Sequence, residues 1–540
     1  MSSDSRRKFL LTAGGLAGAG HLAGQTSAPQ LTSRAAKALS LRQSAAVAQG
    51  RRATASVATN GDESRYPTLF ATYTKGFNHS QLGEVDLAQY GALTHALSTQ
   101  SHADFEKIPI GYGRKLVNVE SAFTYDLEGG DACTFGVPVP PAFSSAEIAA
   151  DMVELYWQAA LRDVPFSQYG NSAAAQNAAA ELSGLAGYRG PRDSDGNVTV
   201  ANLFRGTAPG CLTGPYLSQY LLQKIYFGST PREQMYRTGA AGVDYMTDYS
   251  EWLGIQSGLP PYRKEVFDPE LRYIRNGRDL TQFFHYDYTY QTWVQAALII
   301  LNQYPETLLD YNTYQLNHTN PYKASRIQTG FTTFNSAHVL DWVARAANMA
   351  LKPACYQKWA VHRRVRPEAF GGRVYNSMSG AAKYPIHEDL LHSKALAETM
   401  PKTGGLLSQA FVEGCPLHPS YPSGHAVIAG ACATILKAMF EETALVSGAV
   451  TASDDGKSLV PFAGAALTIG GEINKLAFNH PMARNWAGIH YWSDLDAGLA
   501  LGEAVAIAFM RDNVGTFTES FAGFEFTGFD GKPVVILTRG

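Results

Sequence analysis

The chain has 540 residues, of which 45% are hydrophobic and 17% are charged. Its 44 lysines and arginines against 47 aspartates and glutamates give a formal net charge of −3. Such a hydrophobic fraction over this length supports large cores, which excludes a mainly disordered protein. The near-neutral charge speaks against nucleic acid as the main partner, because that partner requires a strongly basic face. No apolar run reaches the roughly 18 residues that span a bilayer, so a polytopic membrane protein is excluded.

Residues 1–28 have the pattern of an export signal. The basic residues Arg6, Arg7 and Lys8 precede a mildly apolar stretch, 9–23, that is rich in glycine and alanine. The string Ser-Arg-Arg-Lys-Phe-Leu at 5–10 resembles a twin-arginine signal, which predicts export to the periplasm or the extracellular space. A disordered basic tail is the alternative interpretation. Because residues 29–60 are rich in alanine, serine and glutamine, we predict a flexible linker there.

Helical periodicity dominates the rest of the chain. Ser144 and Glu147 form a capping box, which predicts the start of a helix. Four more helices are predicted from apolar residues at helical spacing: Thr289–Leu301, Ser336–Leu351, His425–Glu441 and Ser493–Arg511. Ser336 is the predicted N-cap of the second. Near the C-terminus, two β-prone runs flank Asp530-Gly531, which predicts a hairpin. We therefore predict an all-α protein of helical bundles with long loops and a minor C-terminal β-hairpin.

The five cysteines follow no metal or redox spacing: Cys133, Cys211, Cys355, Cys415 and Cys432. The absence of Cys-x-x-Cys removes the usual signatures of zinc ribbons, thioredoxin-type sites and c-type haem attachment. Because the number is odd, at least one thiol is free or pairs between chains. The sequence does not assign any disulfide.

Three segments carry residues suited to chemistry. The first runs from Lys358 to Glu368, the second from His418 to His425, and the third from Arg484 to His490, with Asp494 four residues later. All three lie in a C-terminal helical region predicted over 331–540, which follows an N-terminal helical region over 61–330. Taken singly, each segment also fits a role without chemistry, namely a solvated basic face, a turn before a helix, and a core histidine.

Taken together, the segments describe a pocket for a phosphate-shaped anion. Ser423 and Gly424 precede an apolar helix, so a hydroxyl and free N–H groups lie at the positive end of that helix. Lys358, Arg366 and Arg484 add three positive charges, and an arginine fork suits oxyanions because it donates two parallel bonds.

Two histidines add reactivity to this pocket. His425 and His490 supply one acid/base group and one nucleophile or ligand. Asp494, at i+4 from His490, is placed to fix the tautomer of its imidazole.

The three segments resemble the signature shared by vanadium-dependent haloperoxidases and type 2 phosphatidic acid phosphatases. That signature has Lys and Arg-Pro in the first segment, Pro-Ser-Gly-His in the second, and Arg, His and Asp in the third. Two details are similar to the bromoperoxidases of algae and cyanobacteria: seven residues separate Lys358 from Arg366, and His418 precedes His425 by seven positions. The resemblance implies a haloperoxidase fold of two four-helix bundles.

The resemblance also implies an activity. Hydrogen peroxide would oxidise bromide or iodide to hypohalous acid, which halogenates a small organic acceptor. The catalytic residues would be His425, which takes a proton from peroxide, Lys358, which polarises the bound peroxide, and His490, which binds the metal. The cofactor would be vanadate, with its oxygens held by Lys358, Arg366, Ser423, Gly424 and Arg484.

Further expectations concern the surroundings of this site. We predict that His418 tunes the hydrogen bonds around His425, and that Asp287 buffers the charge of Lys358 or Arg484. Cys355 and Trp359 would form the halide pocket. Because relatives often carry a large aromatic or an arginine in place of Cys355, the halide preference stays open. The resemblance implies a homo-oligomer and is compatible with a structural calcium or magnesium ion, for which the sequence shows no clean ligand spacing.

Other functions use the same residues. In an exported acid phosphatase, His490 would attack phosphorus and His425 would protonate the leaving group. The seven-residue spacing and His418 argue against this alternative. A non-catalytic oxyanion-binding protein would not need paired acid/base histidines, and a haem peroxidase lacks its proximal-ligand pattern here.

Overall fold

A computed structural model describes residues 29–302 and 315–538 of the chain. The predicted export signal over 1–28 lies outside these ranges. No helix within them is both long and apolar enough to cross a membrane. Within the described residues, 29–50 form one packing unit, and 51–302 with 315–538 form the other.

The first unit contains helix α1, Pro29–Gly50. The predicted flexible linker is therefore wrong for residues 29–50, whereas residues 51–60 have neither helix nor strand. Composition explains the difference, because the alanine, leucine, arginine, lysine and glutamine of this segment all favour helix. The helix ends at Gly50, a residue type that is common at helix C-termini.

The second unit is mainly helical. Its α-helices within the described residues are α2 Asp62–Arg65, α3 Leu87–Thr99, α4 His102–Phe105, α5 Ala146–Leu161, α6 Ala173–Gly184, α7 Tyr249–Gln256, α8 Gly277–Phe283, α9 Gln291–Leu301, α10 Ser336–Cys355, α11 Pro367–Met378, α12 Glu388–Leu391, α13 Lys394–Thr403, α14 Gly424–Met439, α15 Ile469–Trp486 and α16 Trp492–Asn513. A π-helical segment, Tyr356–His362, continues α10. Short 3-10 helices lie at Val119–Phe123, Ala132–Thr134, Phe166–Asn171, Gln219–Leu221 and Val514–Thr516.

The strands of the described residues form four two-stranded antiparallel sheets. They are β1 Ile225–Phe227 with β2 Thr230–Arg232, β3 Tyr236–Gly239 with β4 Phe267–Arg272, β5 Val450–Ala452 with β6 Leu459–Pro461, and β7 Gly523–Thr527 with β8 Pro533–Leu537. The last pair is the predicted C-terminal hairpin, in which Gly523 faces Leu537.

Two groups of packed helices can be distinguished in this unit. In the first group, α14 is buried nearly all round and packs against α10, α15 and α16. The backbones of α14 and α16 approach closely at glycines, since a Cβ on Gly502 would lie 2.1 Å from the carbonyl oxygen of Val427. In the second group, α5 packs against α6, α12 and α13. Helix α15 of the first group also contacts α5. The predicted all-α bundle fold is confirmed.

Helix starts differ from the predictions by one or two residues. The N-cap of α5 is Ser145 rather than Ser144, and its Oγ accepts from the Ile148 N–H at 3.4 Å. Asn335, not Ser336, caps α10, with its Oδ1 accepting from the Ser336 N–H at 2.7 Å. All five cysteines are free thiols, and Cys211, Cys415 and Cys432 are buried.

Candidate active site

The three segments meet at a cavity of about 530 Å³. Its walls include most of the residues predicted to form the site: Asp287, Cys355, Lys358, Trp359, His418, Gly424, His425, Arg484 and His490. Arg366, Ser423 and Asp494 do not line the cavity. Arg366 and Asp494 each contact His490, which does, and Ser423 directly precedes Gly424 in the chain. The structure thus brings the whole predicted set together.

Lys358 reaches the cavity from the π-helical segment at the end of α10. Such π-turns are frequent at functional sites. Arg363 follows the segment, and its backbone is left-handed with φ 39°. The Lys358 Nζ donates to the carbonyl oxygens of Pro419 at 2.9 Å and Ser420 at 2.8 Å, which joins the first segment to the second. Burial, followed by the charge of Arg366, lowers the pKa of Lys358 well below its usual value.

Arg366 connects two histidines. Its Nη1 lies 2.9 Å from the Nε2 of His490, and its Nη2 lies 2.9 Å from the Nδ1 of His418. Because a guanidinium only donates, the His490 Nε2 presents its lone pair, whereas the His418 Nδ1 also lies 3.1 Å from the carbonyl oxygen of Pro419. His418 therefore contacts Arg366, rather than belonging to the hydrogen bonds around His425 as predicted.

The other nitrogen of His490 is held by Asp494. The His490 Nδ1 donates to Asp494 Oδ2 at 2.8 Å, and Asp494 Oδ1 accepts from the Arg364 Nη1 at 2.7 Å. Burial alone would raise the pKa of Asp494, but Arg364 and His490 hold it below its usual value. Burial and then Arg366 lower the pKa of His490 well below its usual value. His490 is therefore neutral, with its proton on Nδ1 and a lone pair on Nε2.

The start of α14 faces the same cavity. Ser423 is the N-cap residue, and its Oγ accepts from the Ala426 N–H at 3.4 Å. Gly424 is the first helical residue, and a Cβ on it would meet only Leu351, at 3.8 Å. The backbone therefore leaves room beside the positive end of a 16-residue helix, where anions bind.

Arg484 completes the positive wall from α15. It is 8% exposed, and its Nη1 donates to the carbonyl oxygen of Phe284 at 2.8 Å. Its Nε has no hydrogen-bond partner among the described residues. Burial lowers the pKa of Arg484 to about 10. The Nε–H of Arg484 is therefore available as a donor for a ligand.

His425 lies beside Asp287, which was predicted to buffer the charge of Lys358 or Arg484. Asp287 Oδ1 is 3.4 Å from the His425 Nε2, and Asp287 Oδ2 is 3.5 Å from the Nε2 of His480. Asp287 thus contacts two histidines rather than Lys358, although it also acts on the charge of Arg484. Burial, followed by Arg484, lowers the pKa of His425 to about 4.

Two residues of this site escaped sequence analysis. Arg364 fixes Asp494, and His480 lies behind Asp287. Only His480 had a usable signal, because it precedes Arg484 by four positions and so shares a face of the same helix.

Cys355 and Trp359 lie in the cavity wall on either side of Lys358 in the sequence. Cys355 is half-buried at the end of α10. Trp359 is fully buried and packs edge-on against Tyr73, with ring centroids 5.6 Å apart. The Trp359 Nε1 has no hydrogen-bond partner among the described residues, which leaves an N–H donor for an anion.

Known proteins match the chain over most of its length. A vanadium-dependent bromoperoxidase from Ascophyllum nodosum is 36% identical over 498 residues, which cover 87% of each chain. A vanadium-dependent bromoperoxidase from Corallina officinalis is 33% identical, with 94% of this chain and 99% of the relative covered. The chain belongs to the vanadium-dependent haloperoxidase family.

Two further comparisons relate this vanadium-dependent haloperoxidase to known folds. A family model described as the VCPO second helical-bundle domain matches residues 397–516, which include the second and third segments. A solved structure, the homohexameric second vanadate-dependent bromoperoxidase from Ascophyllum nodosum, aligns with a TM-score of 0.89 at 28% identity. That alignment covers 100% of this chain and 96% of the other.

The residues of this haloperoxidase fit a vanadate ion. Among the described residues, no carboxylate oxygen lies within 4.0 Å of the cationic nitrogens of Lys358, Arg366 or Arg484. Three buried cations without a counter-ion repel one another, which is the arrangement expected of an oxyanion site. The lone pair on His490 Nε2 supplies a neutral nitrogen ligand beside them.

A calcium or magnesium site finds no such support in the described part of the chain. The group of side chains there whose ligand atoms lie close enough to share a metal ion is Asp287, His425 and His480. Because calcium and magnesium prefer oxygen ligands, a group with two imidazoles does not suit them.

Proposed function

We propose that this protein is a vanadate-dependent bromoperoxidase that uses hydrogen peroxide to oxidise bromide or iodide to hypohalous acid. The hypohalous acid then halogenates small organic acceptors. The observation that carries the proposal is the cluster of three buried cations without carboxylate partners beside a neutral His490. The names of the relatives over most of the chain support it.

The residues that would hold vanadate are those of the cavity wall. Lys358, Arg366, Arg484, the Ser423 hydroxyl and the Gly424 N–H are the donors for its oxygens, and His490 Nε2 is the metal ligand. When bound, vanadate supplies a Lewis-acidic centre that activates peroxide towards halide without a change of oxidation state. Lys358 and the two arginines hold the negative charge of the oxyanion and its bound substrate in place.

His425 accepts the proton that hydrogen peroxide releases. Its Nε2 faces Asp287 Oδ1 at 3.4 Å, so the Nε2–H donates to the carboxylate and Nδ1 keeps the lone pair. Because burial lowers the pKa of His425 to about 4, its imidazole is neutral near pH 7 and able to take a proton. Asp287 then stabilises the imidazolium.

The halide would approach past Cys355 and Trp359. The unpartnered indole N–H of Trp359 is a donor for an anion, and Cys355 gives this wall a small, polarisable surface. Without a large aromatic or an arginine at Cys355, the wall leaves room for the larger halides, bromide and iodide.

One reconstitution experiment tests this function. The protein is stripped of metal, reloaded with vanadate, and assayed for bromination of a phenol dye with hydrogen peroxide. Hydrolysis of a chromogenic phosphoester is measured in parallel. We expect bromination that depends on both peroxide and vanadate, with little phosphatase activity. Phosphoester hydrolysis without bromination would instead assign the acid phosphatase function, with His490 as nucleophile.

We also propose that the protein is exported by the twin-arginine route to the periplasm or the extracellular space. The support is the Arg6-Arg7-Lys8 cluster before a mildly apolar stretch. Replacing Arg6 and Arg7 together by lysine should retain the protein in the cytoplasm, as cell fractionation would show. Lys8→Arg, a matched change of one basic residue, should leave export intact. Unchanged export of the double variant would contradict the proposal.

Finally, we propose that the protein is a homo-oligomer. The homohexameric state of the structural relative, at a TM-score of 0.89, supports this. Analytical ultracentrifugation should then give a mass of several chains of 58.4 kDa each. A single species with the mass of one chain at micromolar concentration would contradict it.

A further inference from the structure

His480 is a buried histidine for which the proposed function has no role. It lies on α15 one turn before Arg484, is 0% exposed, and stacks on Phe284 with ring centroids 4.5 Å apart. Its ring stands nearly perpendicular to that of His425, at 82° and 5.1 Å. Asp287 lies between these two histidines and contacts each with a different oxygen.

Trp293 determines which nitrogen of His480 carries the proton. The indole Nε1 lies 3.1 Å from the His480 Nδ1. An indole N–H only donates, so Nδ1 must accept and the proton of the neutral ring resides on Nε2. That nitrogen is 3.5 Å from Asp287 Oδ2 and has no other partner among the described residues.

The same contact argues against a metal ion at this place. Asp287, His425 and His480 could share a transition metal by distance alone. Metal binding at the His480 Nε2 would require the proton on Nδ1, where it would meet the N–H of Trp293. His480 is thus set up as a hydrogen-bond donor and not as a metal ligand.

A fixed donor on one side of Asp287 orients its carboxylate towards His425. With Oδ2 facing His480, Oδ1 is left for the Nε2–H of His425. The His425 Nδ1 then keeps its lone pair, and the described residues provide it with no other hydrogen bond. These contacts of 3.4 and 3.5 Å are at the long end of hydrogen-bond distances.

We propose that His480 is a positioning residue that acts through Asp287 to fix the tautomer and orientation of His425, with Trp293 as its anchor. The proposal deepens the proposed function, because His425 is the proton acceptor there. The charged and titratable groups that act on Asp287 and His425 are Arg484 and His480 on α15, together with the two residues' action on each other. The other neighbours of His480 are uncharged: Phe284, which follows α8, and Trp293 on α9.

The test uses variants that separate the two nitrogens of His480. His480→Gln places an amide donor near the position of Nε2, whereas His480→Phe keeps a ring on Phe284 but donates nothing. In the vanadate-loaded enzyme, we expect His480→Phe to lower bromination about 10-fold, and His480→Gln to stay within about threefold of the original chain. Replacing His480 by phenylalanine should also shift the acidic limb of the pH profile, because Asp287 raises the pKa of His425 and His480 lowers it.

A double-mutant cycle tests whether His480 acts through Asp287. In an Asp287→Asn background, His480→Phe should cause little further loss of bromination. His338→Phe is the matched control, since His338 is also buried and its Nδ1 also accepts from an N–H, that of Phe334 at 2.9 Å. Because His338 is not in the cavity wall, this control should leave the pH profile unchanged even if it lowers the melting temperature.

A measurement without vanadate separates this inference from the proposed function. NMR of the vanadate-free protein with 13C-labelled histidine reports the tautomer of His425, identified by its absence in His425→Ala. We expect the Nε2–H form in the original chain and a mixture in His480→Phe. If the loaded protein brominates nothing, the proposed function fails, yet this result still decides the role of His480.

Three results would overturn the inference. One is an unchanged His425 tautomer and pH profile in His480→Phe. Another is a full additional loss in the Asp287→Asn background. The third is inhibition by zinc ions that disappears in His480→Phe, which would replace the positioning role by a metal site.

Discussion

Both ring nitrogens of His490 have defined partners, and these partners determine which nitrogen can act as a ligand. Asp494 accepts from Nδ1, and the Arg366 guanidinium faces Nε2. A guanidinium can turn to an oxyanion when one is bound, whereas the buried Asp494 keeps its place through Arg364. The imidazole therefore offers one neutral nitrogen, aimed at the cluster of cations.

Replacing His490 by alanine tests this assignment directly. The variant loses the neutral nitrogen but keeps the three cations, so we expect it to retain phosphate binding and to lose vanadate affinity by on the order of 100-fold or more. Calorimetry with each anion on the metal-free protein measures the two affinities separately. Equal losses for phosphate and vanadate would mean that His490 is not the metal ligand.

Asp494→Asn weakens the support of the same ring. The amide no longer fixes the Nδ1–H tautomer, so vanadate affinity should fall about 10- to 100-fold. It also leaves the buried Arg364 with only the longer carboxylate contact of 3.8 Å to Asp151, which should cost about 1–3 kcal/mol of unfolding free energy. Urea unfolding and vanadate titration measure the two effects.

Asp341→Asn, in an exposed pair with Arg345, serves as the control and should change neither. Unaltered affinity in Asp494→Asn would remove Asp494 from the site.

At the scale of helices, the site depends on the contact between α14 and α16. Gly430 and Gly502 let the two backbones touch, since a Cβ on Gly430 would lie 2.2 Å from the carbonyl oxygen of Leu499. Because α14 begins at Gly424 and α16 begins just after His490, this contact sets the distance between the anion-binding helix start and the metal ligand.

Gly502→Ala should therefore disturb both stability and binding. The new methyl group would lie 2.1 Å from the carbonyl oxygen of Val427, so the helices must separate, at a cost of about 1–3 kcal/mol. Urea unfolding measures this cost, and calorimetry should show weaker phosphate binding.

Gly91→Ala on α3 is the control, because nothing lies within 4 Å of its new Cβ. We expect that change to stabilise the protein by about 0.5–1 kcal/mol. Full stability of Gly502→Ala would contradict the tight contact.

Helices of this length could be predicted because their apolar residues recur at helical spacing, and α14 and α16 were placed to within two residues at their starts. The π-helical turn that carries Lys358 could not, because it ends the helix and no further helical turns follow in which a shifted periodicity would show. Strands of three residues, such as β1 and β5, are too short to show alternation. The partners of Asp287 depend on how the loop between α8 and α9 packs against α14 and α15, which no local pattern encodes.

At the scale of the whole molecule, the cavity connects anion binding to stability. Lys358 and Arg484 both have lowered pKa values in the anion-free protein. A bound oxyanion favours their charged forms and so raises these pKa values. Because the anion binds only to the folded state, it stabilises the protein by about 2.7 kcal/mol at a concentration 100 times its Kd.

This stabilisation should depend on pH through Lys358. The pKa of Lys358 is lowered in the free protein and raised in the complex, so affinity is highest below the lower value and falls as pH rises through it. Sulfate is a suitable probe, because its own charge is constant across this range. We expect the rise in melting temperature that sulfate causes to become smaller as pH increases towards the usual pKa of lysine. Lys358→Arg should remove most of this decrease, since arginine stays charged, whereas Lys475→Arg, at a buried lysine paired with Glu472, should preserve it. A sulfate effect in the original chain that stays constant across the whole pH range in which the protein is folded would contradict the role of Lys358 in anion binding.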